Sequence, residues 1–388
     1  MLRRLALAEN RRALNEAHKA LRRELRQISG QLLRRVFHPR RFTEKLAPAD
    51  IRSVLICRLN GRLGNTLLIT PLIRRLHELI PHAAIDLALA YPKASDLLGP
   101  LPGVRRVIQF PHKEPGLLWR YPAALRALRA DSYDLAIDPV PESSSGRVAL
   151  SLCRARHRLG FDTETQWVGL THPVPRPAAD LHHGIEPVYL LSQAFELSEK
   201  ESALESRSLP LWLPLEPHEL AAGRAAVWGA VSGALRGSNA AAEGRRLIGF
   251  FAHASGLKKL GAPWWREFWG EFLRVEPAVI PVEFLPAVDS PRTHEDFPAL
   301  HIPSLRALAA AISATDLFIA PDTGPMHLAS ATSAPTIALF CASDLTRYRP
   351  LKGCDLAIDV RRSSAREVAA RCHDARRADA PAVASWMS

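Results

Sequence analysis

Apolar residues recur along this chain in two rhythms. Ile51 to Cys57, Ala84 to Ala90, Val104 to Phe110 and Tyr133 to Asp138 are short apolar runs bounded by turn-forming residues, and each reads as a buried strand. Thr66 to Ile80 and Pro122 to Ala130 carry apolar residues at helical spacing, so helices are expected between the strands. Beyond a less regular stretch containing Pro173, Pro175, Pro177 and Pro187, a helix is expected from Pro217 to about Leu235. A second series follows: strand Arg246 to Phe251, helix Pro263 to Val275, strand Val279 to Leu285, helix Ser304 to Ser313, strand Asp316 to Ala320, helix Met326 to Thr332 and strand Thr336 to Phe340. Alternation of this kind predicts an α/β fold of two Rossmann-like, doubly wound halves with mostly parallel sheets and a cleft between them. No short-period repeat is visible.

Ahead of the first strand the pattern changes. From Leu2 to about Val36 there is no proline and one glycine, Gly30, and the segment reads as one or two helices. Leu7, Leu14, Leu21, Leu25, Ile28, Leu32 and Val36 form an apolar stripe flanked by arginines. Such a stripe packs on this protein, on a second copy of it, or on an anionic membrane surface. Nucleic acid is not expected, because no aromatic residues are interleaved with the arginines to stack on bases. His38 through Pro48 reads as a linker.

Composition and length sharpen this division. At 388 residues the chain exceeds one ordinary core and suits two domains. Expected boundaries are a basic helical extension over 1–48, an N-terminal domain over 49–213 and a C-terminal domain over 214–388, with a flexible break near 236–244 around Gly237-Ser238-Asn239 and Gly244. The formal charge is +12, of which residues 1–48 supply +9 through 13 Lys and Arg against four Glu. A basic end on a nearly neutral body points to an anionic surface rather than a polyanion wrapped by the whole protein. Five scattered cysteines with no C-x-x-C pair argue against a disulfide framework or a zinc site. With no apolar run of spanning length and no secretion-signal core, the expected location is the cytoplasm, peripheral on the inner membrane if the basic helix docks there.

Three segments carry candidate chemistry. Leu55 to Thr66 is a strand, a turn with Gly61 and Gly64, and a helix start. Its free backbone N–H groups can face an anion or a substrate hydroxyl, although many purely structural turns look the same. Phe318 to Ala329 is a buried strand that ends at Asp322-Thr323-Gly324 and restarts as a helix at Pro325. That puts an acid, a hydroxyl and backbone donors at the carboxyl edge of a parallel sheet, where open α/β folds bind ligands. Asp322 is expected to bind sugar hydroxyls, Thr323 and the Gly324 amide a diphosphate, and His327 to orient either; capping by Asp322 and a core role for His327 are the structural alternative. The third segment, Phe251 to Lys259, ends in Ser255-Gly256-Leu257-Lys258-Lys259, where a lysine past a small-residue turn can neutralise a leaving phosphate. The neighbouring Pro263-Trp264-Trp265-Arg266-Glu267-Phe268-Trp269 reads as a helix buried by its aromatic face.

Together these segments resemble glycosyltransferase family 9, the heptosyltransferases of lipopolysaccharide inner-core synthesis. Arg58-Leu59 through Gly64-Asn65 and Thr70-Pro71 match the family's first strand and turn, and Asp322 to Ala329 matches its D-T-G-P-x-H-L-A signature in full. Tyr133 to Asp138, Arg158-Leu159-Gly160-Phe161, Pro335 to Phe340 and Tyr348-Arg349-Pro350 add weaker matches in the same order. The resemblance implies a GT-B fold and metal-independent, inverting transfer of heptose or a related sugar to a lipopolysaccharide core or other lipid-linked cell-surface glycan. Its ADP-heptose-like donor would be held by Ser255, Gly256, Lys258, Asp322, Thr323, Gly324, Met326 and His327. Arg58, Asn60 and Gly64 fall on the acceptor side, with Lys259 and position 65 as catalytic positions; no metal and no cofactor is implied. Position 65 departs from the pattern. The resemblance assigns the general base to an aspartate there, and Asn65 cannot take a proton at any useful pH. His253 and Asp138 are candidate replacements because their strands can end near the cleft. A sugar-nucleotide-binding protein that has lost catalysis is the alternative expectation.

Overall fold

The computed structural model describes residues 42, 44–111, 121–141, 143–163, 169–197, 209–235 and 244–378. The expected helices over 2–36 and the break at 236–243 lie outside these residues, and the end of the expected linker lies inside them. There Leu46 is buried and bridges Phe195, so this segment docks on the first half instead of standing free.

Two six-stranded, fully parallel sheets organise the chain. The first contains β1 (Ser53–Arg58), β2 (Ala84–Leu89), β3 (Val104–Gln109), β4 (Ser132–Asp138), β5 (Arg154–Asp162) and β6 (His172–Pro175), in the order 3-2-1-4-5-6. The second contains β7 (Arg246–Phe250), β8 (Val279–Leu285), β9 (Ala299–His301), β10 (Leu317–Pro321), β11 (Thr336–Phe340) and β12 (Leu356–Asp359), in the order 12-11-10-7-8-9. Counted within its own half, the second order is the first repeated. In each sheet the strand order reverses between the first and fourth strands, β1 beside β4 and β7 beside β10, and a crevice opens beyond the carboxyl ends at such a point. This is the two-domain GT-B arrangement.

The strands form where apolar runs are buried on both faces, as parallel sheets require; β10 and β11 are buried along their whole length. Three differences from the sequence reading have physical causes. The expected helix over 66–80 is two helices, α1 (Leu63–Leu67) and α2 (Thr70–Leu79), because Pro71 has no N–H for the Leu67 carbonyl and the Thr70 hydroxyl donates to it instead, at 2.8 Å. The expected helix at 326–332 starts earlier, as α10 (Gly324–Ser330). Strands β5, β6, β9 and β12 were not anticipated. The aromatic helix is present as α8 (Ala262–Val275), with Trp265, Phe268, Trp269 and Phe272 all buried.

The remaining helices cover the sheets: α3 (Ala94–Leu98), α4 (Tyr121–Ala130), α5 (Ser144–Leu152), α6 (Glu186–Ala194), α7 (Pro217–Ala234), α9 (Leu305–Ser313), α11 (Leu345–Tyr348) and α12 (Ala365–Ala378). The largest apolar cluster does not stop at either sheet. It runs from Ile56, Leu67 and Leu72 to Met326, Phe318 and Phe284, so the halves share core packing. Hydrogen bonds from Trp212 N to Thr70 Oγ1 (2.9 Å) and from Leu213 N to Ala331 O (3.1 Å) fix the chain where it crosses between them.

Candidate functional site

The two signature turns leave their sheets at the switch points and meet. Helix α1 follows β1 and helix α10 follows β10, and these two short helices pack on each other across the halves. Contact is close enough to explain both glycines. A Cβ on Gly64 would stand 2.5 Å from His327 Cδ2, and one on Gly324 would stand 3.0 Å from Leu63 Cβ. The two signature motifs, far apart in sequence, therefore form one seam.

On the second half's side of the seam Asp322, 3% exposed, is the hub. Lys258 Nζ lies 2.5 Å from Asp322 Oδ2, and His327 Nε2 lies 3.4 Å from Oδ1. Burial opposes ionisation of Asp322, but hydrogen bonds from His327, Lys258 and Ser343 outweigh it and hold the carboxyl well below its usual range. It is a carboxylate whose negative charge fixes a lysine. That lysine reaches it because Gly256 takes a left-handed φ of 63° in the tight turn Gly256–Lys258. Ser255 is exposed at the start of the turn, and Thr323 donates its hydroxyl to Pro321 O at 3.0 Å.

Two expectations change here. Lys259, expected to act in catalysis, is exposed and stands beyond Lys258, which holds the Asp322 contact. Met326 was expected to line the donor side, but its side chain is wholly buried in the shared core because α10 turns that face inward; only its backbone can reach a ligand.

Beside the β1 turn lies a cavity of about 650 Å³. Arg58, Asn60 and Asn65 from the β1 turn line it, with Pro139, Val140 and Pro141 beyond β4. Burial pulls the Arg58 guanidinium down from its usual value, against the pull of Asp138, Tyr348 and Glu186. Its Nε donates to the Asn65 carbonyl at 3.4 Å. Asn60 Oδ1 accepts from Arg62 N at 3.1 Å and so shapes the turn.

Neither candidate replacement base lines this cavity. Asp138 is fully buried behind its wall, with Arg147 Nε 3.1 Å away; burial pushes its carboxyl up to about 6, against Arg147 and Arg58. It neutralises Arg147 and has no open path to a substrate. His253 lies in the second half, with Nε2 3.8 Å from Glu283 Oε1, and burial pulls its imidazole down.

Sequence reasoning missed Arg176, His183, Glu186 and Arg347, which line the same cavity, and gave Tyr348 no role in it. His183 Nδ1 is 2.9 Å from Glu186 Oε2, Arg347 Nη2 is 3.0 Å from Glu186 Oε1, and the His183 and Tyr348 rings are 4.7 Å apart. The signal was present in Asp180-Leu181-His182-His183-Gly184-Ile185-Glu186-Pro187, where His and Glu three residues apart precede a helix, but the surrounding prolines gave it no periodic context. Among the described residues no group of three or more His, Cys, Asp or Glu side chains is arranged to hold a metal ion, and no helix is long and apolar enough to cross a membrane.

Comparison with known proteins agrees with this geometry. The family model of glycosyltransferase family 9 (heptosyltransferase) matches residues 302–375, which include Asp322 and His327. No curated protein matches the chain in sequence. Among solved structures, a glycosyltransferase of family 9 from Veillonella parvula has a TM-score of 0.62 at 19% identity, covering 79% of this chain and 85% of its own. Heptosyltransferase WaaC of E. coli with ADP-2-deoxy-2-fluoro heptose gives 0.61 at 16% identity, over 84% of this chain and 99% of its own. The E. coli ADP-heptose lps heptosyltransferase II gives 0.62 at 18% identity, over 84% and 98%. At such identities the likeness to each solved structure is one of fold. The chain is thus similar to glycosyltransferase family 9 over residues 302–375 and shares the two-domain fold of heptosyltransferases.

Proposed function

We propose that this protein is an inverting, metal-independent glycosyltransferase that moves heptose or a related sugar from an ADP-heptose-like donor to a lipopolysaccharide core or another lipid-linked cell-surface glycan. The observation that carries this reading is the Lys258–Asp322–His327 cluster packed on Gly64, next in sequence to the Asn65 that lines the cavity. A diphosphate seated there meets the Lys258 ammonium, Thr323 and the Gly324 amide, and the sugar it carries meets Asp322. The relative WaaC was solved with an ADP-linked fluoro-heptose, which supports a donor of that class. Work on a lipid-linked acceptor would place the protein at the cytoplasmic face of the inner membrane, with the basic residues 1–48 against anionic headgroups.

The deciding experiment is calorimetry with ADP, ADP-heptose, UDP-glucose and GDP-mannose. Binding of the adenine compounds alone is expected, and binding of none of the four sinks the reading. Asn65 favours a second reading, a protein that binds the sugar nucleotide without transferring it. Donor binding with no ADP release from any glycan acceptor would establish that alternative.

A further inference from the structure

Transfer to a hydroxyl requires a group that accepts its proton, and Asn65 is not one. The cavity that the β1 turn lines also holds an imidazole in the arrangement a base needs. His183 Nδ1 is 2.9 Å from Glu186 Oε2, so Nδ1–H donates to the carboxylate and Nε2 keeps its lone pair. The ring lines the cavity with 24% of its side chain exposed, while Glu186 is almost wholly buried. Glu186 is itself held from behind by Arg347, whose Nη2 is 3.0 Å from Oε1; the contact of the same Nη2 with His183 Nδ1 is longer, at 3.4 Å.

The dyad is also tied to the donor site. The Tyr348 ring packs 4.7 Å from His183 on one side and 6.3 Å from His327 on the other, and His327 contacts both Asp322 and Gly64. Arg58 bonds the Asn65 carbonyl and stands within electrostatic reach of Glu186 and Tyr348, which joins the turn at position 65 to the same cavity lining. The loop is rigid, since Ile185 N and Glu186 N both donate to His182 O and Gly184 N donates to His182 Nδ1.

We propose that His183, oriented by Glu186, is the general base of this enzyme and does the work that an aspartate at position 65 would otherwise do. The inference rests on the glycosyltransferase reading given above. In the step, the acceptor oxygen forms a bond to the anomeric carbon as His183 Nε2 takes its proton. The bond from that carbon to the diphosphate oxygen breaks, and ADP leaves with the electron pair beside Lys258. The imidazolium then returns its proton to water. Besides Glu186, the charged or titratable groups around the imidazole are Arg347, with Asp180 behind it, Tyr348, His182, Arg58 and Arg176. Glu186 is the acid in direct contact.

The test follows ADP release from ADP-heptose, with deacylated lipopolysaccharide core oligosaccharides as acceptors and water as the background acceptor. His183→Gln is expected to keep ADP-heptose affinity within about threefold while kcat falls about 100-fold or more. The wild-type rate should fall toward acid, and that limb should be absent in His183→Gln. In Glu186→Gln kcat should fall about 10-fold with donor affinity kept, because the imidazole loses the carboxylate that fixes its ring. Adding Asn65→Asp to His183→Gln should restore transfer with the limb in the carboxylate range, which also shows that the cavity is intact. A folded His183→Gln that binds donor and retains wild-type kcat and acid limb overturns the proposal. So does wild type that binds ADP-heptose and turns over with no acceptor, although that result leaves donor binding standing. Failure to bind ADP-heptose at all removes the glycosyltransferase reading as well.

Discussion

Lys258 and Lys259 are adjacent and chemically equal, and the backbone at Gly256 decides between them. With φ at 63°, the turn carries Lys258 to Asp322 and leaves Lys259 in solvent. Lys258→Ala is therefore expected to weaken ADP-heptose binding about 10- to 100-fold, since it removes a charge-assisted contact and leaves Asp322 to repel the diphosphate. Lys259→Ala should change binding less than about threefold; calorimetry that ranks the two the other way would refute the assignment. Gly64→Ala should displace His327 and reduce donor affinity by a similar factor, without lost expression. The residues at 322–327 were legible in the sequence because they form one contiguous turn after an unmistakable buried strand. His183, Glu186 and Arg347 were not, because their meaning comes from three-dimensional proximity between segments with no strong periodicity of their own.

At the scale of elements, two packings invite measurement. Helix α7 lies on α9 with Gly223 at the crossing, where a Cβ would sit 2.3 Å from the Ala310 carbonyl carbon. That atom is backbone and cannot swing aside, so Gly223→Ala should cost about 1–3 kcal/mol in chemical denaturation. Behind the cavity beside the β1 turn, α5 delivers Arg147 to Asp138 at the end of β4. Arg147→Ala leaves a buried carboxyl without its cation and should cost about 3–5 kcal/mol, with part recovered in the double variant with Asp138→Asn. The elements hidden from sequence reading have evident reasons. Strand β5 reads Arg-Ala-Arg-His-Arg-Leu-Gly-Phe-Asp, half polar, and β9 and β12 are only three and four residues long. Strands so short or so charged are defined by the neighbours they pair with.

For the whole molecule, pH acts through buried groups spread over both halves. His172, stacked on Phe42 at 5.5 Å, is pulled down to about 4 by burial and by His157, and His182 to about 4 by burial and by His327. A histidine lowered in the folded state binds its proton more readily when unfolded, so its contribution to stability is full above its ordinary value and is lost as pH falls toward 4. Asp138 and Asp355, each pushed up to about 6 by burial, act oppositely, favouring the folded state as pH falls through 6. The separation is possible with His172→Phe, which keeps an aromatic ring but cannot titrate. Its stability relative to wild type should improve by about 2 kcal/mol between pH 7 and pH 5, and no change would mean that His172 is already free to protonate in the folded chain.

The contact between Gly64 and His327 also bears on how such a chain can change over generations. These residues belong to different halves, yet the ring of one occupies the space that any side chain on the other would need. A larger residue at 64 has to push the imidazole at position 327 aside, and position 327 also holds Asp322. The two signature turns are therefore not free to diversify separately: a lineage that remodels position 327 opens or closes the options at position 64 in the same step.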